Sequence, residues 1–367
     1  MTTHQSIRRL SRIAALFGLA VVAGTVAAAD GKAGLEALPA AKPGNADMVE
    51  LGKHLFFDTR LSGDMGVSCA SCHNPEKGFA DGQALSAGYP STEYFRNAPT
   101  LINSRFKNVF MWDGRLDGAD MGTLVRDMIT EAHTMNMDSR LMQERLSQVP
   151  EYVALWQKFR KDDINGMRVY GVVGEYVKTL VSQNAPIDRF LKGDGSALSS
   201  QQKDGYEVFN GKGGCVACHN GPLASDGERH RTGVPENPEV LKNPNRTIAM
   251  LRHYSTSGMP NYMNARTDVG FYAISKDKAD IGKFATPSLR ELKYTAPYMH
   301  NGMFDSLDKV VDFYDQGGGQ GSELKPLGLT SSEKSALVAF LEAMSGDALK
   351  VVAPTLPDYQ PRQFGKN

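Results

Sequence analysis

Two short segments of the chain repeat one pattern of cysteine and histidine. Residues 69–73 read Cys-Ala-Ser-Cys-His, and residues 215–219 read Cys-Val-Ala-Cys-His. In such a segment the two thiols can form thioether bonds to a porphyrin, and the adjacent histidine can then bind its iron. The pattern therefore predicts two covalently attached c-type haems, held by Cys69, Cys72 and His73 and by Cys215, Cys218 and His219.

These two segments contain all four cysteines of the chain. Paired cysteines also occur as disulfides, as redox-active dithiols and in zinc sites. None of these alternatives explains why a histidine directly follows each pair. The repetition of the complete pattern favours the dihaem interpretation.

The first 29 residues have the pattern of a secretory signal peptide. Three arginines between residues 8 and 12 precede an apolar run over 13–23, and three alanines at 27–29 offer a cleavage site. The run is shorter than the ~20 residues that a spanning helix needs. A retained membrane anchor is the alternative. We expect cleavage, a mature chain without a membrane span and a periplasmic location.

Length and composition are those of an ordinary globular protein. The 367 residues leave room for two domains of roughly 100–200 residues each. Apolar residues make up 41% of the chain and charged residues 22%. Lysine plus arginine and aspartate plus glutamate both number 41, so no basic excess indicates a nucleic-acid partner.

Helical periodicity dominates the sequence. It predicts a mainly α fold of two cytochrome c-like domains, over residues 30–185 and 186–367, each around one covalent haem and with long irregular loops. Turn-forming residues over 78–108 and 220–290 predict little regular structure there. The predicted helices lie near 46–55, 124–129, 139–147, 152–160, 169–184, after the cap at Ser199, and near 306–314 and 331–344.

Five further segments occur in a fixed order around the two motifs. Residues 51–62 read LGKHLFFDTRLS, 96–100 read RNAPT, 111–115 read MWDGR, 284–290 read FATPSLR and 295–302 read TAPYMHNG. In this order they resemble the bacterial dihaem cytochrome c peroxidase family, including its MauG branch. The resemblance covers nearly the whole mature chain.

The resemblance implies roles for individual residues. The N-terminal haem would be the high-spin peroxide site, and the C-terminal haem would handle electrons. Trp112 matches the tryptophan between the haems, although a core aromatic is the alternative. Asn97, with backbone oxygens of Thr295 and Pro297, matches a calcium site between the domains, and such oxygen ligands suit this hard cation. Alternatively, Asn97 is a turn residue.

The residue at position 314 distinguishes the two branches of the family. Classical peroxidases have a methionine at this place as second ligand of the C-terminal haem, whereas the MauG branch has tyrosine. A thioether is soft and favours Fe(II), whereas a phenolate is hard and anionic and stabilises higher oxidation states. The alternative is that Tyr314 packs in a helix and that Met299 or Met303 binds the iron.

Two positions depart from the family pattern. The distal glutamate expected beyond Trp112 falls on Ala132 by counting and on Thr134 if the Met-Asn pair is aligned, so Glu131 or His133 is the candidate acid–base group. His133 is alternatively an iron ligand or a structural residue. The surface tryptophan of MauG near the second motif is also absent, and Phe209, Tyr206 and the tyrosines of the 254–272 loop are possible substitutes.

Three functions follow from these expectations. The first is a MauG-like enzyme that uses hydrogen peroxide to form a high-valent dihaem state and oxidises a periplasmic partner protein at long range. The second is a classical peroxidase that reduces hydrogen peroxide with electrons from a small cytochrome or cupredoxin. The third is a non-enzymatic dihaem electron carrier. The implied cofactors are two haem c groups and one calcium ion.

Overall fold

The computed structural model describes residues 34–89, 93–118 and 120–360. The signal-peptide prediction lies outside these residues. The described chain is mainly helical, as predicted, and its helices are α1 Ala46–Phe57, α2 Cys69–Cys72, α3 Met121–Thr130, α4 Ser139–Ser147, α5 Pro150–Phe159, α6 Gly166–Val177, α7 Pro186–Leu191, α8 Ser200–Asn210, α9 Glu239–Lys242, α10 Pro244–Thr256, α11 Tyr272–Ser275, α12 Leu307–Asp315 and α13 Ser331–Glu342.

Strands in the described part are confined to two short antiparallel pairs. They are β1 Val109–Phe110 with β2 Leu116–Asp117, and β3 Arg229–His230 with β4 Phe284–Ala285. The β1–β2 hairpin carries residues 111–115 in its loop, where Met111 and Gly114 adopt positive φ angles. This compact loop therefore positions the MWDGR segment.

Side-chain caps explain where several helices begin. The predicted cap Ser199 accepts a hydrogen bond from the backbone N–H of Gln202, whose side chain accepts one from the Ser199 N–H, and α8 starts at the next residue. Asp120 caps α3 through Thr123 N–H, and Ser306 caps α12 through Lys309 N–H. These capped helices carry residues that line the cavities described below.

Two secondary-structure predictions were wrong. The helix predicted over 169–184 ends at Val177, because the Leu180 oxygen instead accepts a hydrogen bond from Asn103 N–H and Ser182 N–H donates one to the Asn103 side-chain oxygen. The stretch 220–290 contains α10, a helix of 13 residues that begins at Pro244. Proline is favoured in the first helical turn, where its missing N–H has no intrahelical partner.

The buried apolar residues of the described chain form two larger cores and a smaller third one, which joins Leu85 and Phe95 to residues between 240 and 273. The first core comprises residues between 51 and 180, and the second comprises residues between 185 and 344. Near the two ends of the described residues the packing is exchanged: Leu35 packs against the second core, whereas Leu349, Val351 and Tyr359 pack against the first. The boundary at residues 185 and 186 stays a prediction.

Within the part of the chain that the structure describes, no helix is both long enough and apolar enough to cross a membrane.

Candidate active site

The first cysteine–histidine motif borders a cavity of about 490 Å³. Such a volume lies within the usual range for cofactor and ligand sites. Helix α3 presents one face to this cavity at helical spacing, and the residues on that face are Met121, Leu124, Val125, Met128 and Ile129. The cavity is thus apolar on one side and carries Cys69, Cys72 and His73 on its wall.

The second motif borders a cavity of about 600 Å³ with a similar construction. Helix α12 lines it with Leu307, Val310, Val311 and Tyr314, which again follow helical spacing. Cys215, Cys218 and His219 lie on the wall of the same cavity. Both motifs therefore open onto spaces of cofactor size.

The two motif histidines are held in the same way. His73 Nδ1 lies 3.1 Å from the carbonyl oxygen of Phe79, and His219 Nδ1 lies 2.9 Å from that of Ala224. A carbonyl only accepts, so Nδ1 carries the proton and Nε2 is free to bind a metal. Burial lowers the pKa of both imidazoles, which keeps them neutral. These residues fit a covalently held haem.

Tyr314 lines the second cavity together with His219. Burial raises the pKa of Tyr314 to about 12, so the phenol keeps its proton unless a cation nearby stabilises the anion. Met299 also lines this cavity and stays an alternative ligand, whereas Met303 is not among the lining residues.

Trp112 lies on the wall that the two cavities share. Its indole Nε1 donates a hydrogen bond of 2.9 Å to the backbone oxygen of Asn97. Its own carbonyl accepts one of 2.9 Å from Ala285 N–H on β4. The β1–β2 loop and β4 together fix the ring between the two sites.

The three predicted calcium ligands lie on the wall of one cavity. Asn97, Thr295 and Pro297 all line the second cavity. The Asn97 amide donates to the backbone oxygen of Gln83 at 2.7 Å, which leaves its side-chain oxygen available to a cation. This arrangement is compatible with the oxygen ligands that calcium prefers.

Glu131 and His133 lie behind the first cavity and are not among its lining residues. Their side chains approach to 3.0 Å, and the His133 ring stacks on Tyr94 with centroids 5.1 Å apart. Tyr94 and Thr134 do line the cavity. Burial raises the pKa of Tyr94 to about 12. A protonated phenol therefore lies between the cavity and the His133–Glu131 pair.

A buried network of charges supports this region. Arg96 bonds Asp113 and Asp268 at 2.6 Å each, and Arg115 bonds Asp113 and Glu131 at 3.1 Å each. Burial opposes the charged form of Arg96, but its two carboxylate partners outweigh this effect and raise its pKa. The network connects the segment after the first motif to the loop around residue 268.

Replacing Arg96 with methionine is expected to lower the free energy of unfolding by about 3–5 kcal/mol, because two buried carboxylates lose their shared partner. Urea titration followed by circular dichroism measures the change. The matched control is Lys158→Gln, since Lys158 forms an exposed pair with Glu50 at 3.2 Å, and its effect is expected to stay below about 1 kcal/mol. Similar losses in both variants would contradict the stabilising role of the network.

Glu131 makes the free energy of unfolding depend on pH in the acidic range. Burial alone would raise its pKa, but His133 and Arg115 outweigh burial and lower the pKa to about 2. A depressed carboxyl pKa stabilises the fold above the ordinary value of 4.5, and this contribution disappears as pH falls towards 2. We expect Glu131→Gln to flatten the loss of stability between these values, measured as unfolding midpoint against pH. An unchanged slope would contradict this prediction.

Comparison with known proteins identifies the family. A family model described as di-haem cytochrome c peroxidase matches residues 46–196. Over the full length of both chains, the sequence is 88% identical to cytochrome-c peroxidase IdrP2 of Denitromonas iodatirespirans. The chain belongs to the dihaem cytochrome c peroxidase family. It is therefore a peroxide-dependent oxidoreductase of a family that carries two haems.

Two further comparisons relate this dihaem peroxidase to less similar proteins. It is 34% identical to the methylamine utilization protein MauG of Methylorubrum extorquens over 87% of this chain and 84% of that protein. A solved structure of a MauG-like protein associated with microbial copper homeostasis aligns with a TM-score of 0.69 at 23% identity, over 86% of this chain and 94% of that chain. The latter similarity shows a common fold.

Some residues at the two sites were not anticipated from the sequence. Tyr94 stands two residues before the RNAPT segment and could have been noticed as an aromatic beside a family motif. Arg115 belongs to the MWDGR segment, but its pairing with Glu131 becomes visible only in the structure. Nothing in the sequence marks Lys107, which lines both cavities.

Proposed function

We propose that this peroxidase works in the manner of MauG: hydrogen peroxide would be reduced at the first site without prior reduction of the protein, and a partner protein, oxidised at long range, would supply the two electrons. The observation that carries the proposal is Tyr314, a phenol that lines the same cavity as His219. Two cytochrome c-like halves, each around a covalent haem, are part of the proposal. When bound, the haem irons supply the redox chemistry.

We assign proton handling at the first site to residues on and behind the cavity wall. Tyr94 is protonated at neutral pH and faces the cavity, so it can donate a hydrogen bond to bound peroxide. Glu131 is ionised and holds His133, which stacks on Tyr94. In this assignment His133 and Glu131 act through Tyr94 as positioning residues. Positioned acid–base groups contribute about 10²–10⁴-fold to enzymatic rates.

We assign transfer between the two sites to Trp112, which lines both cavities. An exit route from the second site is also available. Phe209 lines the second cavity and lies 5.3 Å from Phe340, which in turn lies 5.5 Å from Tyr206, measured between ring centroids. Tyr206 is only partly buried and can exchange an electron with a docked partner protein.

The second candidate is a classical peroxidase, which draws electrons from a small cytochrome or cupredoxin. The observation that favours it is the 88% identity to a protein named cytochrome-c peroxidase IdrP2. In that case Met299, which also lines the second cavity, is the candidate iron ligand in place of Tyr314.

Peroxide consumption with and without prior reduction distinguishes the two candidates. The oxidised protein and a sample reduced by one electron are each mixed with peroxide and a reduced small cytochrome. The MauG-like proposal predicts that both samples begin to consume peroxide at once. A lag in the oxidised sample, absent after reduction, would support the classical peroxidase and contradict our proposal.

Two further assignments complete the proposal. Calcium would bind at Asn97 and at the backbone oxygens of Thr295 and Pro297, which line one cavity. Export to the periplasm would follow from the signal-peptide pattern of the first 29 residues. The periplasm would then supply the partner protein.

A further inference from the structure

Lys107 occupies an unusual place in the molecule. The two cavities share a wall built from residues 97–100, Lys107, Trp112 and residues 285–288. Lys107 is the charged residue of that wall. It directly follows the short 3₁₀ helix Ser104–Phe106, which holds its backbone through a hydrogen bond of 3.0 Å to Ser104.

The Lys107 ammonium has no protein partner among the described residues. Burial lowers its pKa to about 8, and no carboxylate compensates for this cost. Arg229 is also a cation on the wall of the first cavity, but unlike Lys107 it has a carboxylate partner, Asp117 at 2.8 Å. Asp226, also on that wall, pairs with His230 at 2.9 Å. An ammonium left unpaired in such a place is costly unless an anion binds beside it.

The haems that would occupy the two cavities carry such anions. Each haem has two propionate carboxylates, and a carboxylate forms a strong charge-assisted hydrogen bond with an ammonium. We propose that the Lys107 ammonium binds propionate carboxylates of both haems and thereby couples the two cofactors electrostatically across their common wall. This inference rests on the two haems of the family and is independent of whether Tyr314 binds iron.

The test is a reductive titration of the variant Lys107→Met, followed optically for each haem. Removing a positive charge beside a haem favours its oxidised form, so we expect both midpoint potentials to fall. Lys107→Arg keeps the charge and is expected to keep potentials near those of the natural protein. Lys192→Met is the matched control, because Lys192 is exposed and lines neither cavity. Haem content is measured on each variant by the pyridine haemochromogen method.

Lys107→Gln is a second neutral variant, with a polar end group, and serves if the methionine variant does not fold. The same fall in both midpoint potentials is expected for it. Unchanged potentials in a neutral variant that holds two haems would overturn the proposal. A change in the midpoint potential of one haem alone would contradict a contact of Lys107 with both haems. An equal shift in Lys192→Met would show a general charge effect and also contradict it. Peroxide reactivity is recorded separately, so failure of this inference is distinguishable from failure of the MauG-like function.

Discussion

Tyr314→Met is expected to slow strongly the reaction of the unreduced protein with peroxide while leaving both haems attached. A thioether at this place would favour Fe(II) at the second haem and raise its midpoint potential, whereas a phenolate stabilises the oxidised metal. We expect the rate of the peroxide reaction without reductant to fall by at least about tenfold, which corresponds to a barrier higher by about 1.4 kcal/mol. Stopped-flow absorption measures this rate, and a reductive titration measures the potential.

The matched control for this substitution is Tyr298→Phe. Tyr298 is a second phenol on the same cavity, and its hydroxyl donates a hydrogen bond of 2.9 Å to the backbone oxygen of Leu292. We expect little change in the potential of the second haem in that variant. If Tyr314→Met behaves like the natural protein and Met299→Leu changes the potential, Met299 is the ligand and the MauG-like proposal is wrong.

Trp112→Phe is expected to separate peroxide consumption from oxidation of the second site. The substitution removes the indole that lines both cavities and its hydrogen bond to Asn97. Loss of that bond costs about 0.5–1.5 kcal/mol of stability, so the fold is expected to persist. Peroxide still reaches the first haem, but we expect changes at the second haem to slow by about tenfold or more, a barrier increase of about 1.4 kcal/mol.

Trp156→Phe provides the matched control for Trp112→Phe. Trp156 is buried in the first core, donates a hydrogen bond of 2.9 Å to the backbone oxygen of Asp162 and lines neither cavity. Stopped-flow spectra at wavelengths specific for each haem follow both variants. Equal rates at the second haem in the natural protein and in Trp112→Phe would contradict a role for Trp112 in transfer.

Local sequence patterns predicted much of this structure, because they report local chemistry. The motif at residues 215–219 and the cap at Ser199 depend on neighbours in the chain, and the structure has the expected helix after Ser199. The end of α6 depends on Asn103, which is remote in sequence, so periodicity overestimated that helix. Helix α10 was missed because the turn-forming residues over 220–290 outweighed its helical pattern, and the favoured place of Pro244 in its first turn was not considered.

The candidate site shows the same division between local and distant interactions. Tyr314 was found from its family position and lies in the second cavity with His219. His133, in contrast, was predicted as a direct acid–base group. Its ring stacks on Tyr94, which is 39 positions earlier by their numbers, and Tyr94 forms part of the cavity wall in its place. Pairings between distant residues are not visible in a single sequence.

The most direct test of the central claim is electron paramagnetic resonance of the oxidised protein before and after one equivalent of peroxide, with no reductant present. The proposal predicts one high-spin and one low-spin ferric haem at the start, and a loss of both signals after peroxide. Ferric signals that persist until the second haem has been reduced would contradict the MauG-like function and indicate a classical peroxidase. Two low-spin signals that do not respond to peroxide in either state would contradict peroxide reactivity at the first site.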